Sequence, residues 1–348
     1  MKRLVVCCDG TWNTPDEVDE NGAPCPSNIS RIAQAVAEKA PDGTAQRLFY
    51  DKGVGTNGRL DRVIGGVFGR GVAKNVRDAY HFLVDVYEPG DEIFFFGFSR
   101  GAFTARSAAG FVRNCGILRR EHAYRLDDAF ALYRARDPQH HPTEVEAALF
   151  RRSFSHVTRI RFIGVFDTVG SLGVPLTGLP LTDLANRRYR FHDTALSGQV
   201  DGAFQALAMH ERRGSFVPAL WTGGAEGQEV EQVWFTGVHS DVGGGYSDHR
   251  LADITLAWMA ARARRYGLAL HLPDDLDPDA LGRRHVAMDG VYRWLPRRPR
   301  SPVDGTSVAS SVVDRQRRFR DAPRPFRTML GDPARRTTVE HVGGTPEA

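Results

Sequence analysis

Short apolar runs separated by segments of helical spacing occupy most of the chain. Leu4–Cys8, Arg47–Tyr50, Glu92–Phe96, Ile160–Phe166 and Val230–Phe235 read as strands, and the run of apolar residues from Ile93 reads as a strand buried on both faces. Val72, Val76, Ala79, Leu83 and Val86 recur at helical spacing, which predicts an amphipathic helix over 72–87. The stretch 65–71 before it is too glycine-rich for a regular element. Asn28 or Ser30 is placed to cap a helix to about Lys39, and Asp253 one to about Tyr266. Residues 203–213 also read as a helix. The segment 119–156 is polar and helical, whereas 172–199 is rich in Pro, Gly and Leu and reads as loop. Strands alternating with helices predict a mainly parallel sheet with helices on both faces.

Composition narrows this picture only modestly. The 348 residues allow one large domain or two ordinary ones; 41% hydrophobic and 25% charged content is that of a soluble globular chain. The formal charge is only +4, and Lys2, Lys39, Lys52 and Lys74 are the only lysines, so nearly all basic groups are arginine. Arg297, Arg298, Arg300, Arg315, Arg317, Arg318 and Arg320 cluster near the C-terminus. A solvated face is the simplest account of them, with an anionic membrane surface as the alternative; no nucleic acid is expected. Cys7, Cys8, Cys25 and Cys115 lack metal-ligand spacing and read as reduced, buried thiols. No signal peptide and no apolar stretch of membrane-spanning length is visible, so a cytoplasmic location is expected.

The chemistry concentrates where strands end. Gly97-Phe98-Ser99-Arg100-Gly101 fits G-x-S-x-G, a sharp strand-to-helix turn that exposes a strained nucleophilic serine. The glycines leave room for strand and helix to pass close on either side of Ser99. Three other predicted strands end in Asp9-Gly10-Thr11, Asp167-Thr168 and His239-Ser240. Serine, acid and histidine thus occur in the chain order Ser99, Asp167, His239. In open parallel sheets such strand ends form the site. Serine needs a base to take its proton, imidazole titrates near neutrality, and a carboxylate orients the imidazole and stabilises its cation. Asp241 is the competing acid, expected instead to bond backbone in the Gly243–Gly245 turn. His156, His192 and His210 are competing bases that lie away from the predicted strand ends. Arg100 and the Gly10-Thr11 loop are the candidate oxyanion donors through their backbone N–H groups. A phosphatase built on Asp-Gly-Thr would need an aspartate two residues before Asp9, where this chain has Cys7.

The motifs Asp9-Gly10-Thr11-Trp12-Asn13, Gly53-Val54-Gly55-Thr56, Gly97–Ala102, Phe166–Ser171 and Val238–Tyr246, in this order over about residues 1–260, resemble the family called domain of unknown function 2235. That family includes the catalytic domain of type VI secretion phospholipase effectors. The resemblance implies an α/β-hydrolase fold and a Ser-Asp-His triad falling on Ser99, Asp167 and His239. His210 stands where the family usually has an acid before the Glu of its helix, so no role is carried over to that position. The expectation is an α/β-hydrolase domain over 1–270 with a helical insertion at about 119–156, followed by a C-terminal extension, 271–348, packed on it in part. Its reaction would be hydrolysis of a small-molecule or lipid ester through an acyl-serine, possible phospholipid esters included, with no metal or organic cofactor. The alternative is a non-catalytic binding module on the same fold.

Overall fold

The computed structural model describes residues 1–10, 18–53, 65–135, 137, 141–169, 196–288 and 296–339, with backbone only for 65–70. The chain opens with β1 (Lys2–Cys8), α1 (Asn28–Ala35), β2 (Ala45–Asp51), α2 (Gly65–Val86), β3 (Glu92–Phe98) and α3 (Ser99–Cys115). A short antiparallel pair, β4 (Ile117–Leu118) with β5 (Ser155–His156), closes the base of a helical excursion carrying α4 (Leu126–Arg134) and α5 (Val145–Phe154). The chain then re-enters the sheet as β6 (Ile160–Phe166), β7 (Val200–Ala208) and β8 (Glu229–Phe235). Two helices follow, α6 (His239–Gly243) and α7 (Arg250–Arg265), then β9 (Ser307–Ala309), α8 (Ser310–Phe319), α9 (Arg327–Gly331) and β10 (Arg336–Thr337).

Eight strands form one sheet in the order β10-β9-β8-β7-β6-β3-β1-β2, and every neighbouring pair is parallel. Its faces follow the two-residue alternation along each strand. Val5, Cys7, Phe94 and Phe96 pack on one side against Ile29 and Ile32 of α1 and Leu256 and Trp258 of α7. Leu4, Val6, Cys8, Ile93 and Phe95 pack on the other against Val76 and Leu83 of α2 and Ala105 and Ala108 of α3. Because α1 and α2 cover opposite faces, the strand order reverses between β1 and β3. The carboxyl ends at such a switch point leave a crevice for a ligand, and here those ends are Asp9-Gly10 and Ser99.

Three expected elements differ, the simplest being α7, which starts at Arg250 with Asp253 inside it rather than at its cap. Residues 203–208 belong to strand β7, not to a helix. Gly202 through Ala208 are all buried, so no solvent-facing residue reveals the two-residue period and the run resembles a buried helix. Helix α2 also starts at Gly65, ahead of the expected Val72. Glycine costs about 1 kcal/mol in a helix interior, which weakens a helix without forbidding it. In α1 the capping oxygen comes from Ser27, which accepts from Ser30 N–H at 3.0 Å. Asn28 spends its amide on the carbonyls of Val242 and Ala252, at 3.1 and 3.0 Å, which ties α1 to α6 and α7. The arginine cluster at 297–320 is not one solvated face. Arg300 and Arg315 are buried, and Arg315 bonds Asp321 and the carbonyls of Ala280 and Gly282. The four cysteines are free and buried, as expected. No described helix is long and apolar enough to cross a membrane.

A Cβ on Gly101 would stand 2.0 Å from the Cys8 carbonyl oxygen and 2.3 Å from that of Asp9. Both obstacles are backbone at the end of β1, so nothing can rotate away. Gly101→Ala is therefore expected to push α3 off β1 and lower stability on the order of 3 kcal/mol. Urea unfolding checks this, and a midpoint equal to that of the wild type contradicts it.

Candidate active site

The turn from β3 into α3 holds Ser99 at φ 57°, a left-handed conformation that a residue with a Cβ rarely adopts. Gly97 is as tightly placed as Gly101: a Cβ there would lie 2.6 Å from Ala102 Cα. The pair lets the chain reverse within one turn, with the serine at the apex. Ser99 is 7% exposed. The residue before helix α3, Phe98, makes no side-chain capping bond, and the positive end of the helix faces the serine.

Phe98 and Phe166 are register partners on the adjacent strands β3 and β6. Their successors, Ser99 and Asp167, therefore leave the sheet side by side. Asp167 is fully buried and also left-handed, at φ 41°. His239 opens α6 beyond β8, and its Nδ1–H donates to Asp167 Oδ2 at 2.5 Å. The imidazole packs against Phe98, with ring centres 4.6 Å apart, and edge-on to Phe216 at 4.8 Å. Close approach of α6 is possible because residue 243 is glycine; a Cβ there would fall 2.0 Å from the Phe98 ring. The structure thus pairs His239 with Asp167 and sets the imidazole against the residue preceding Ser99.

The electrostatics are those of a crowded, dry site. Burial would raise the Asp167 pKa, but the Arg300 charge and the His239 hydrogen bond outweigh it and hold the carboxyl well below the usual carboxylate range. Burial pushes the His239 imidazole below its ordinary value; the hydrogen bond and charge of Asp167 oppose that shift, and the Arg213 charge reinforces it. Glu211, buried beside them, accepts from the His239 backbone N–H at 3.3 Å and is paired with Arg213 at 2.7 Å.

The loop after β1 is built around Asp9. Its carboxylate accepts from Ser27 Oγ at 2.5 Å, Tyr50 Oη at 2.8 Å and Gly10 N–H at 2.6 Å. Burial, only partly offset by these bonds, pushes its pKa up to about 6. Gly10 N–H is thus committed to a carboxylate, which leaves it unavailable in this arrangement to an oxyanion. Thr11, the other donor expected from this loop, lies outside the described residues, as do Val54–Thr56, Gly170, Ser171 and His192.

The competing groups have other partners. Asp241 accepts from Val238 N–H at 2.8 Å and holds His285 Nδ1 at 2.6 Å. It thus bonds backbone, but at the start of α6 rather than in the turn that follows. His210, expected away from strand ends, follows β7 by two residues. Its Nδ1 accepts from Gly237 N–H at 3.1 Å and its Nε2 lies 3.2 Å from the Asp321 carbonyl, so both ring nitrogens are engaged. Burial pushes its pKa down to about 4. His156 lies in β5, with its ring against Tyr87 at 5.7 Å.

Sequence reasoning missed Arg300. Its guanidinium grips both Asp167 oxygens, Nη1 on Oδ1 and Nη2 on Oδ2. No local motif marks it. Among the described residues, no group of three or more His, Cys, Asp or Glu side chains is arranged to hold a metal ion.

Residues 2–262 match the family model described as T6SS, phospholipase effector Tle1-like, catalytic domain. The uncharacterised protein YEL023C of Saccharomyces cerevisiae is 29% identical over 243 residues, covering 64% of this chain and 33% of that protein. A crystal structure of an uncharacterised protein from Pseudomonas aeruginosa superposes with a TM-score of 0.50 at 20% identity, over 78% of this chain and 47% of that one. The chain therefore spans about a third of the yeast relative and under half of the bacterial one. The parallel sheet, the strand–serine–helix turn and the matched residues agree: the fold is that of the α/β-hydrolases, and the chain belongs to the Tle1-like phospholipase effector catalytic-domain family.

Proposed function

We propose that this chain is a serine hydrolase of carboxylic esters, with the ester bonds of phospholipids as the substrate class its family suggests. The observation that carries the reading is the buried His239–Asp167 pair set against the strained turn that presents Ser99. With Nδ1–H donated to Asp167, the neutral tautomer leaves Nε2 as the acceptor. His239 Nε2 takes the hydroxyl proton as Ser99 Oγ attacks the ester carbonyl. The tetrahedral oxyanion is met by the N–H of Arg100, in the first turn of α3, and by that of Thr11 in the loop after β1, since Gly10 N–H is committed to Asp9. Collapse expels the alcohol, which takes its proton from His239 and leaves an acyl-serine. Water activated by the same imidazole then releases the acid. None of these steps calls for a metal or an organic cofactor.

The test is turnover of a soluble p-nitrophenyl ester in EDTA as a function of pH, with labelling by a fluorophosphonate in parallel. His239 must be neutral to act, so kcat/KM falls as pH drops through its pKa in the free enzyme. Burial outweighs Asp167 in setting that pKa, so the acid limb is expected below the ordinary imidazole value of about 6.5. Loss of activity in EDTA, or failure of the phosphonate to inactivate, overturns the serine reading. A non-catalytic module would show neither turnover nor labelling.

A further inference from the structure

The acid of the proposed triad carries more than an acid of that kind needs. Asp167 Oδ2 receives His239 Nδ1–H at 2.5 Å and Arg300 Nη2 at 3.0 Å, while Oδ1 receives Ala208 N–H at 3.0 Å and Arg300 Nη1. The same guanidinium donates to the carbonyls of Ala208 and Phe216, both at 2.7 Å. Arg300 is 6% exposed. Its segment is fixed by a short ladder to the chain leaving β7: Arg298 N–H to Arg212 O at 2.8 Å, Gly214 N–H to Pro296 O at 3.0 Å, and an antiparallel bridge between Arg213 and Arg297. Arg300 and its segment lie beyond residue 262, where the family match ends.

We propose that Arg300 is a positioning residue for the site: it locks the Asp167 carboxylate in the orientation that presents Oδ2 to His239, and it offsets the charge of that carboxylate. The fork geometry supports the first part. A bidentate arginine fixes the plane of a carboxylate as a single point charge does not, and Asp167 has no other side-chain donor besides His239 among the described residues. The charge count supports the second. Of the two carboxylates whose charges act most strongly on the imidazole, Asp167 and Glu211, Glu211 is paired with Arg213. Asp167 remains, and Arg300 is the cation matched to it. Without Arg300 the buried carboxylate would favour the imidazolium more strongly, and the base would be lost to protonation at a higher pH. Its effect on rate rests on the hydrolase reading; its effect on His239 does not.

The experiment follows the His239 ring by NMR in the histidine-labelled 348-residue chain, with the signal assigned by its loss in His239→Gln. In Arg300→Met the titration midpoint is expected to rise by about one pH unit, because the compensating charge is gone. In Arg300→Lys the charge stays, and the midpoint is expected within about 0.3 units of wild type, while kcat falls about tenfold at unchanged KM because the fork is lost. A purely structural arginine would lower the melting temperature without moving the titration. An unmoved midpoint in Arg300→Met overturns the proposal. If Arg300→Met does not fold, wild-type kcat in Arg300→Lys overturns it instead. A shifted titration in a protein that no phosphonate labels would count against the hydrolase reading alone.

Discussion

Ser99→Ala is expected to lower ester turnover by on the order of 10⁵-fold, to the residue that oxyanion donors and binding alone sustain. The size follows from the division of labour in the site. The serine, its base and the acid act as a unit, so removing the nucleophile costs about what removing all three does. The fold should hold. Ser99 owes its left-handed φ of 57° to the closeness of β3, α3 and β1, enforced at Gly97 and Gly101, and not to its hydroxyl. Alanine inherits the same backbone strain, so stability should change by less than about 1 kcal/mol. Turnover of a p-nitrophenyl ester and a thermal melt on the same preparation decide the matter. Activity within tenfold of wild type at an unchanged melting temperature would mean that another residue attacks.

The parts of this site that the sequence made legible are those whose chemistry is local. An elbow needs glycine two residues either side of a serine, and steric necessity writes that spacing into five consecutive positions. Asp167 and His239 were legible because each directly follows a recognisable strand or strand-end motif, and parallel strands bring their ends to one edge. Arg300 was illegible for the opposite reason. It meets Asp167 across 133 residues of chain, and nothing in its own neighbourhood separates it from the other arginines. The Asp9 cluster was half legible: the Asp-Gly-Thr turn stood out, but Ser27 and Tyr50, which bind its carboxylate and draw Gly10 N–H to it, come from other elements. The strand at 200–208 failed as a reading because burial on both faces erases the alternation that a strand normally shows.

Asp167→Asn separates the chemistry of the acid from its place in the fold. Asparagine tolerates the left-handed φ of 41° that residue 167 adopts better than most residues, so the backbone should stay in place. Arg300 is a donor only, and Ala208 N–H is another, so both hold the asparagine oxygen on their side. The amide NH₂ is then turned toward His239 Nδ1. That forces the imidazole into the tautomer with its proton on Nε2, where it cannot accept from Ser99. The expected loss is about 10⁴ in kcat, with KM little changed. Stability should fall as well, by on the order of 3 kcal/mol, because a buried guanidinium loses its counter-ion. The two effects separate in the double variant Asp167→Asn with Arg300→Met. Removing the stranded charge should return much of the stability and none of the activity. Asp241→Asn is the matching control, since Asp241 serves His285 and the start of α6 rather than His239, and its kcat should stay within about tenfold of wild type. A larger loss at Asp241 than at Asp167 would transfer the role of the acid to Asp241, and a double variant as unstable as the single one would show that Arg300 is not held there by charge.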